Sequence, residues 1–275
     1  MLFPLFLVIP HKMKYCIIIG SSRGLGAAMV EEFLKDESCY IFGVARTSLE
    51  KIHDHEKWIA SERYRHVELD ITAPNCIESL KLICSEIPRE PICIIFNAAI
   101  VKADFEEDSS INFGTFDEIN RVGIDGLGNV LNAFEEQLLD YGGILVGISS
   151  FSALAPPVFE PRVAYPASKA YLDMTLRSLR LAWKKKVKIV TVHLGHIGGS
   201  GSTFFSSLMV PPTYSRAARK IVRKVMSRRT PTEINYPLLY CIVYRYLFKF
   251  IPDVIYLLLF RLLLNLSNLV KTSKT

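Results

Sequence analysis

The stretch Tyr15-Cys16-Ile17-Ile18-Ile19-Gly20-Ser21-Ser22-Arg23-Gly24-Leu25-Gly26 decides the fold. Its first five residues form an apolar, Ile-rich run, the pattern of a strand buried on both faces. A glycine-rich turn follows at once, and Ala27-Ala28-Met29-Val30-Glu31-Glu32-Phe33-Leu34 then reads as a helix. Glycines permit a tight turn and close approach of the backbone to a ligand. The helix N-terminus supplies N–H groups and a partial positive charge. Strand, loop and helix together suit a pyrophosphate. The spacing is G-x3-G-x-G on Gly20, Gly24 and Gly26, with Ser22, Arg23 and Leu25 inside the loop. A glycine triplet alone is a weak sign; its place between the first strand and the first helix gives it weight.

Outward from this loop the chain alternates. Short apolar, β-branched runs at 15–19, 40–45, 64–69, 92–96, 144–148 and 187–194 predict strands. Helical patterns lie between and after them, at 24–35, 48–60, 75–86, 115–139, 166–184 and 215–227. Continuous apolar strands separated by helices predict an α/β fold, a doubly wound parallel sheet covered on both faces. Ligands in such folds bind at the carboxyl ends of the strands. One domain is expected over 13–236, after an N-terminal extension, 1–12, and before an apolar, basic C-terminal segment, 237–275. The opening MLFPLFLVIPHK is too short to span a bilayer and lacks the basic start and small-residue cleavage site of a signal peptide. It is either an arm that packs on the domain or a stretch ahead of a native start at Met13.

The 275 residues are 50% hydrophobic, which excludes a disordered, collagen-like or coiled-coil chain. Six cysteines (Cys16, Cys39, Cys76, Cys84, Cys93, Cys241) show no CxxC pair and several sit in apolar runs. They point away from zinc or a disulfide framework and towards a reducing, cytoplasmic compartment. The formal charge of +6 is unevenly spread: residues 216–275 hold twelve Lys/Arg and two Asp/Glu. A basic and apolar end suggests a membrane surface or an acidic partner rather than nucleic acid. The bland reading, of equal weight, is a basic helix and a buried tail.

The second strand ends Phe42-Gly43-Val44-Ala45-Arg46-Thr47. An NAD site normally places a carboxylate there for the ribose 2′-hydroxyl. Here Arg46 follows instead, and Arg23 sits in the glycine loop. Two guanidinium groups suit a 2′-phosphate, so NADP(H) is preferred over NAD(H); the bland reading is two solvated arginines. Asp70, ending the third strand, could accept from the adenine amino group. Asn97-Ala98-Ala99 ends the fourth with small residues against which a cofactor can lie. Either could be an ordinary strand-end cap.

Tyr165-Pro166-Ala167-Ser168-Lys169 carries the chemistry. At i and i+4 on a helix, Tyr165 and Lys169 share a face. An ammonium beside a phenol lowers its pKa from about 10 towards neutrality, giving a general acid for a carbonyl or a base for an alcohol. Ser149-Ser150 ends the fifth strand, where a hydroxyl could bond the same substrate oxygen.

On Gly20-x3-Gly24-x-Gly26, Asp70, Asn97-Ala98-Ala99, Ser150 and Tyr165-x3-Lys169, the chain resembles the classical short-chain dehydrogenase/reductase family over about residues 13–200. The resemblance implies a Rossmann fold and hydride transfer between a nicotinamide and a carbonyl/alcohol pair. By it, Ser150 orients substrate and Tyr165 moves the proton. Lys169 holds the nicotinamide ribose and tunes Tyr165. It further implies a homodimer or homotetramer. There are departures. The family's Thr before the first glycine is Ile19, the glycine of its N-A-A-G is Ile100, and its Pro-Gly after strand six is Leu194-Gly195. The Asn of its N-x-x-G, part of a water-bridged proton relay to the Lys, falls on Gly123, with Asn120 a weak substitute. The reading is therefore a reductase or dehydrogenase of a lipophilic carbonyl/alcohol substrate; the alternative is an NADP(H)-binding regulatory or scaffold protein with vestigial catalysis.

His193 and His196 flank Leu194-Gly195 without a third metal ligand in view, so no metal is expected; they read as strand and loop histidines more readily than as substrate contacts. His53 and His55 read as solvated. Leu172, Leu176, Leu179 and Trp183 read as core. Residues 200–214 resemble the family's substrate loop by position. Residues 237–264 are apolar but interrupted by Arg245, Lys249, Pro252, Asp253 and Arg261. A clean transmembrane helix is not expected there; of a lid over a lipophilic pocket, a membrane-surface segment and a subunit interface, the first two are favoured jointly.

Overall fold

The structure, a computed structural model, describes residues 13–155, 162–183, 186–198, 211–238, 254, 255, 258 and 261. Tyr15–Ile19 (β1) is the middle of the sheet, and Cys16 to Ile19 are almost fully buried. It pairs in parallel with Tyr40–Ala45 (β2) on one side and Ile92–Phe96 (β4) on the other. Tyr64–Glu68 (β3) continues one edge; Gly143–Ser150 (β5), Val187–Leu194 (β6) and Glu233–Tyr236 (β7) continue the other. The seven-stranded order is β3-β2-β1-β4-β5-β6-β7. The order reverses between β1 and β4, so a crevice opens beyond the carboxyl ends of the central strands.

Both faces are covered. Gly24–Leu34 (α1) packs Met29, Val30 and Phe33 onto one face, beside Tyr214–Val225 (α7) with Ala217, Ala218, Ile221 and Val225. On the other face lie Cys76–Glu86 (α3), Gly126–Tyr141 (α5) and Ala164–Ala182 (α6), contributing Leu80, Leu127, Phe134, Leu172 and Leu176. Leu179 and Trp183 pack against that same cluster.

Three details depart from the sequence expectation. The helix expected at 48–60 is a short 3-10 turn, Leu49–Lys51, and a separate His55–Ala60 (α2), parted by Asp54 at a φ of 66°. The helix expected at 115–139 begins as Phe113–Asn120 (α4), where the Asn112 side chain accepts from Thr115 N. It then passes through a π-helical turn at Arg121–Asp125 into α5. The strand β7 was not expected at all: it is four residues long and only Ile234 is buried, so no apolar run announces it.

Residues 1–12 and 199–210 lie outside the described residues, as does most of 237–275. In that last segment Leu238, Val254, Ile255 and Leu258 are exposed. Among the described residues no helix is long and apolar enough to cross a membrane.

Candidate active site

The glycine loop leaves β1 at its carboxyl end. Gly20 has a φ of 86° and donates its N–H to Val44 O at 2.8 Å. A Cβ there would lie 2.8 Å from the Ala98 backbone; at Gly26 it would lie 1.9 Å from Gly20 O. The Asn97 amide donates to Gly20 O at 2.8 Å, so the end of β4 braces the loop. Helix α1 starts at Gly24, and Arg23 at its N-cap makes no side-chain cap. The first-turn N–H groups therefore have no side-chain acceptor. Leu25 buries its side chain in the core. Ser22 is half-buried and Arg23 exposed. Backbone donors at a helix start, with glycines that let a ligand approach, fit a pyrophosphate.

Arg46 follows β2 with its side chain about half exposed. Its Nη1 is 3.9 Å from both Asp70 Oδ2 and Glu118 Oε1, which is worth little as an ion pair at the surface. Asp70 Oδ1 accepts from Thr72 N at 2.8 Å and Thr72 Oγ1 at 2.7 Å. Burial acts to raise the Asp70 carboxyl. The Thr72 hydrogen bonds and the Arg46 and Arg121 charges outweigh it and hold it below its ordinary range. Arg23 and Arg46 thus stand on the same sheet edge as the glycine loop.

At the end of β5 the strand and α6 bring Ser150, Tyr165 and Lys169 together. The Ser150 hydroxyl stands near the Tyr165 phenol and acts to lower its pKa. Ser150 Oγ also accepts from Ser152 N at 3.1 Å and Ser152 Oγ at 2.9 Å. Lys169 Nζ lies 5.8 Å from the centre of the Tyr165 ring and donates to Ile148 O at 2.8 Å. Lys169 is only 5% exposed. Burial draws its ammonium down to about 8, against the charge of Asp173. The phenol differs from expectation: burial raises Tyr165 above its ordinary value, while Ser150 and the Arg162 charge act to lower it. With its ammonium turned to a backbone carbonyl, Lys169 does not draw the phenol towards neutrality in the protein alone.

Two positioning features escaped the sequence reading. Asp104, fully buried, accepts from Val163 N and from Ala164 N, the latter at 2.6 Å. A carboxylate from the loop after β4 thus anchors the start of the helix carrying Tyr165 and Lys169, where the dipole favours negative charge. No local motif marks it, because its partners lie about sixty positions away. At Gly123 a Cβ would lie 2.7 Å from Ser168 Cβ, so the π-helical turn packs its backbone onto α6. Asn120 ends α4, half-buried. His193 is buried on β6 and hydrogen-bonds Asp173. Among the described residues no group of three or more His, Cys, Asp or Glu is placed to hold a metal.

A model of the short chain dehydrogenase family matches residues 14–203. Solved structures share the fold. A short-chain dehydrogenase from Burkholderia cenocepacia J2315, in complex with NADP, is 19% identical. The match covers 86% of this chain and 93% of that chain, with a TM-score of 0.69. One from Streptomyces avermitilis is 18% identical over 96% of this chain and 98% of that chain, also at 0.69. An NADPH-bound carbonyl reductase from chicken fatty liver is 17% identical over 82% and 96%, at 0.68. No curated protein matches the chain. With the sheet order, the glycine cradle and the family match in agreement, the chain belongs to the short-chain dehydrogenase/reductase family, NAD(P)-dependent oxidoreductases acting on CH–OH and C=O groups.

Proposed function

We propose that the protein is an NADP(H)-preferring reductase, or the reverse alcohol dehydrogenase, of a lipophilic carbonyl compound, working through Ser150, Tyr165 and Lys169. The observation that carries this reading is the meeting of those three side chains at the end of β5, on the sheet edge that holds the glycine loop. A bound nicotinamide supplies or accepts the hydride. Ser150 directs its hydroxyl to the substrate oxygen. Tyr165 gives its phenol proton to that oxygen in reduction and takes it back in oxidation. The Lys169 ammonium steadies the phenolate and holds the ribose hydroxyls. Gly20, Ser22, Gly24, Leu25 and Gly26 hold the pyrophosphate; Asp70, Asn97 and Ala98 line the adenosine and nicotinamide ends.

The test is cofactor oxidation against a panel of ketones and aldehydes of increasing chain length. NADPH-dependent turnover that improves with chain length supports the reading. Tight NADPH binding with no turnover on any member favours the second reading, a regulatory or scaffold protein with vestigial catalysis. The backbone packing of Gly123 on Ser168, at the place of the family's relay Asn, motivates it.

The NADP(H) preference rests on Arg23, Arg46 and the missing carboxylate after β2. Arg46→Ala weakens NADPH binding by about 1.5–3 kcal/mol, as for a lost hydrogen bond to a charged group, and leaves NADH nearly unchanged. Equal losses for both cofactors, in fluorescence titration, rule out a 2′-phosphate role.

We place the protein in the cytoplasm, as a homodimer or homotetramer, with peripheral contact at a membrane. Exposed Tyr171, Met174 and Leu181 on α6 support an interface between copies. Exposed Arg216, Arg219 and Arg223 on α7, with the exposed apolar Leu238, Val254, Ile255 and Leu258 beyond it, support the membrane contact. Anionic lipid attracts basic residues near its surface by roughly 1 kcal/mol each. The full chain is expected to co-sediment with anionic vesicles and to release at high salt; a chain ending at Tyr236 is expected to lose most of that binding. A full chain that stays in the supernatant removes the membrane contact and leaves the reductase reading intact.

A further inference from the structure

Behind Lys169 lies a buried polar pair that the proton transfer above does not use. Asp173 stands one helical turn beyond Lys169 on α6, and its Oδ2 is 2.6 Å from His193 Nε2 on β6. The side chains are 14% and 2% exposed. The His193 ring stacks on Phe151, the residue after Ser150, with centroids 6.0 Å apart. Beyond their shared bond, His193 Nδ1 and Asp173 Oδ1 are buried without a hydrogen-bond partner.

With Nε2 as the donor, His193 bonds one oxygen of the Asp173 carboxylate and leaves the other without a partner. A buried carboxylate with an unpaired oxygen is costly unless an opposite charge is near. Lys169, four residues back on the same helix face, carries that charge and is itself buried. Other polar groups flank the pair. Tyr165 stands one turn before Lys169 on α6. Ser149 on β5 donates to Lys169 O at 3.5 Å. The Thr191 hydroxyl on β6 is taken by Arg180 at 3.1 Å. Arg177, one turn beyond Asp173, is exposed, as are Arg121 and Asp125 of the π-helical turn.

We propose that Asp173, fixed in place by His193, is a positioning residue that keeps the buried Lys169 side chain in its ammonium form beneath Tyr165. The inference deepens the reading of Lys169 given above and rests on it. Burial alone disfavours the ammonium, and Asp173 is the charge that opposes this loss. Its sign is definite: without the carboxylate, Lys169 releases its proton at lower pH.

The test reads Lys169 directly, in the full chain without cofactor, by NMR titration of lysine labelled with 13C at Cε and assigned by its loss in Lys169→Met. The wild-type signal is expected to titrate near pH 8. In Asp173→Asn, nearly the same shape without the charge, the midpoint is expected to fall by about one pH unit or more. His193→Gln, whose amide can still donate to Asp173, is expected to stay near wild type; His193→Leu is expected to shift downwards. In turnover assays the alkaline limb of kcat moves to lower pH in Asp173→Asn and His193→Leu but not in His193→Gln. A Lys169 midpoint that is the same in wild type and in a folded Asp173→Asn overturns the proposal. A midpoint shift in a protein whose wild type reduces no carbonyl on the panel supports the coupling and overturns the reductase reading, so the two failures are distinct.

Discussion

Tyr165→Phe is expected to lower turnover by about 10²-fold or more, while leaving NADPH affinity within about twofold. The substitution removes only the phenol oxygen. The ring keeps its packing against the apolar cluster of α3, α5 and α6. Ser150 keeps its bonds from Ser152 N and Ser152 Oγ, so its hydroxyl is not left without a partner. The variant is therefore expected to fold, at a cost of about 1 kcal/mol or less for the lost hydroxyl. Since burial holds the phenol above its ordinary value, the proton is present across the neutral range and available for donation. Lys169, titrating near 8, loses its charge as pH rises through that value. Wild-type reduction is therefore expected to be highest below pH 8 and to fall above it, and the residual rate of Tyr165→Phe is expected to show no limb due to the phenol. Full turnover in a folded Tyr165→Phe would assign the acid to another group.

Gly26→Ala is the second large effect. A Cβ at this position would stand 1.9 Å from Gly20 O and 2.9 Å from the Asn97 amide nitrogen. Neither neighbour is a free-swinging tip: one is the loop backbone, and the other is held by its bond to the same oxygen. Helix α1 must move off the end of β1, or the loop must open. The destabilisation is expected to be about 3 kcal/mol or more, the upper end for overpacking a fixed site. In a domain of this size it lowers Tm by about 6–12 °C. The N–H groups at the helix start also move, so NADPH binding weakens by at least about tenfold, from a loss of about 1.4 kcal/mol or more. Calorimetry and fluorescence titration read the two effects separately. Wild-type values in both would mean that the loop is softer than its packing implies.

Both positions were visible in the sequence for a local reason. Gly26 belongs to a glycine-rich turn between the first strand and the first helix, and Tyr165 and Lys169 announce themselves by a four-residue spacing on one helix. The strands of the central sheet were equally plain, because Cys16 to Ile19 and Ile92 to Phe96 are uninterrupted apolar runs buried on both faces. What stayed hidden depends on residues far apart in the chain. Asp104 holds the start of α6 across some sixty positions, and its single carboxylate looks like any loop acid. Strand β7 exists because β6 leaves an open edge, and only Ile234 in it has the apolar character of a strand. The direction of the Tyr165 shift also needed the fold, since it turns on how deeply the phenol is packed and on where the Lys169 ammonium points.

The close approach of Gly123 to α6 restricts how this lineage can change. Ser168 Cβ, not only its hydroxyl, occupies the space that any side chain at 123 would enter. Alanine at 168 removes the hydroxyl contact at 3.2 Å but keeps the Cβ at 2.7 Å; glycine there removes both. Glycine inside a helix costs about 1 kcal/mol relative to alanine, and here it would loosen the helix that bears Tyr165 and Lys169. A side chain at 123 therefore needs the π-helical turn or α6 to shift, or a second change at 168. Substitutions at 123 and 168 are thus expected to be coupled, which a double-mutant cycle would read as non-additive stability.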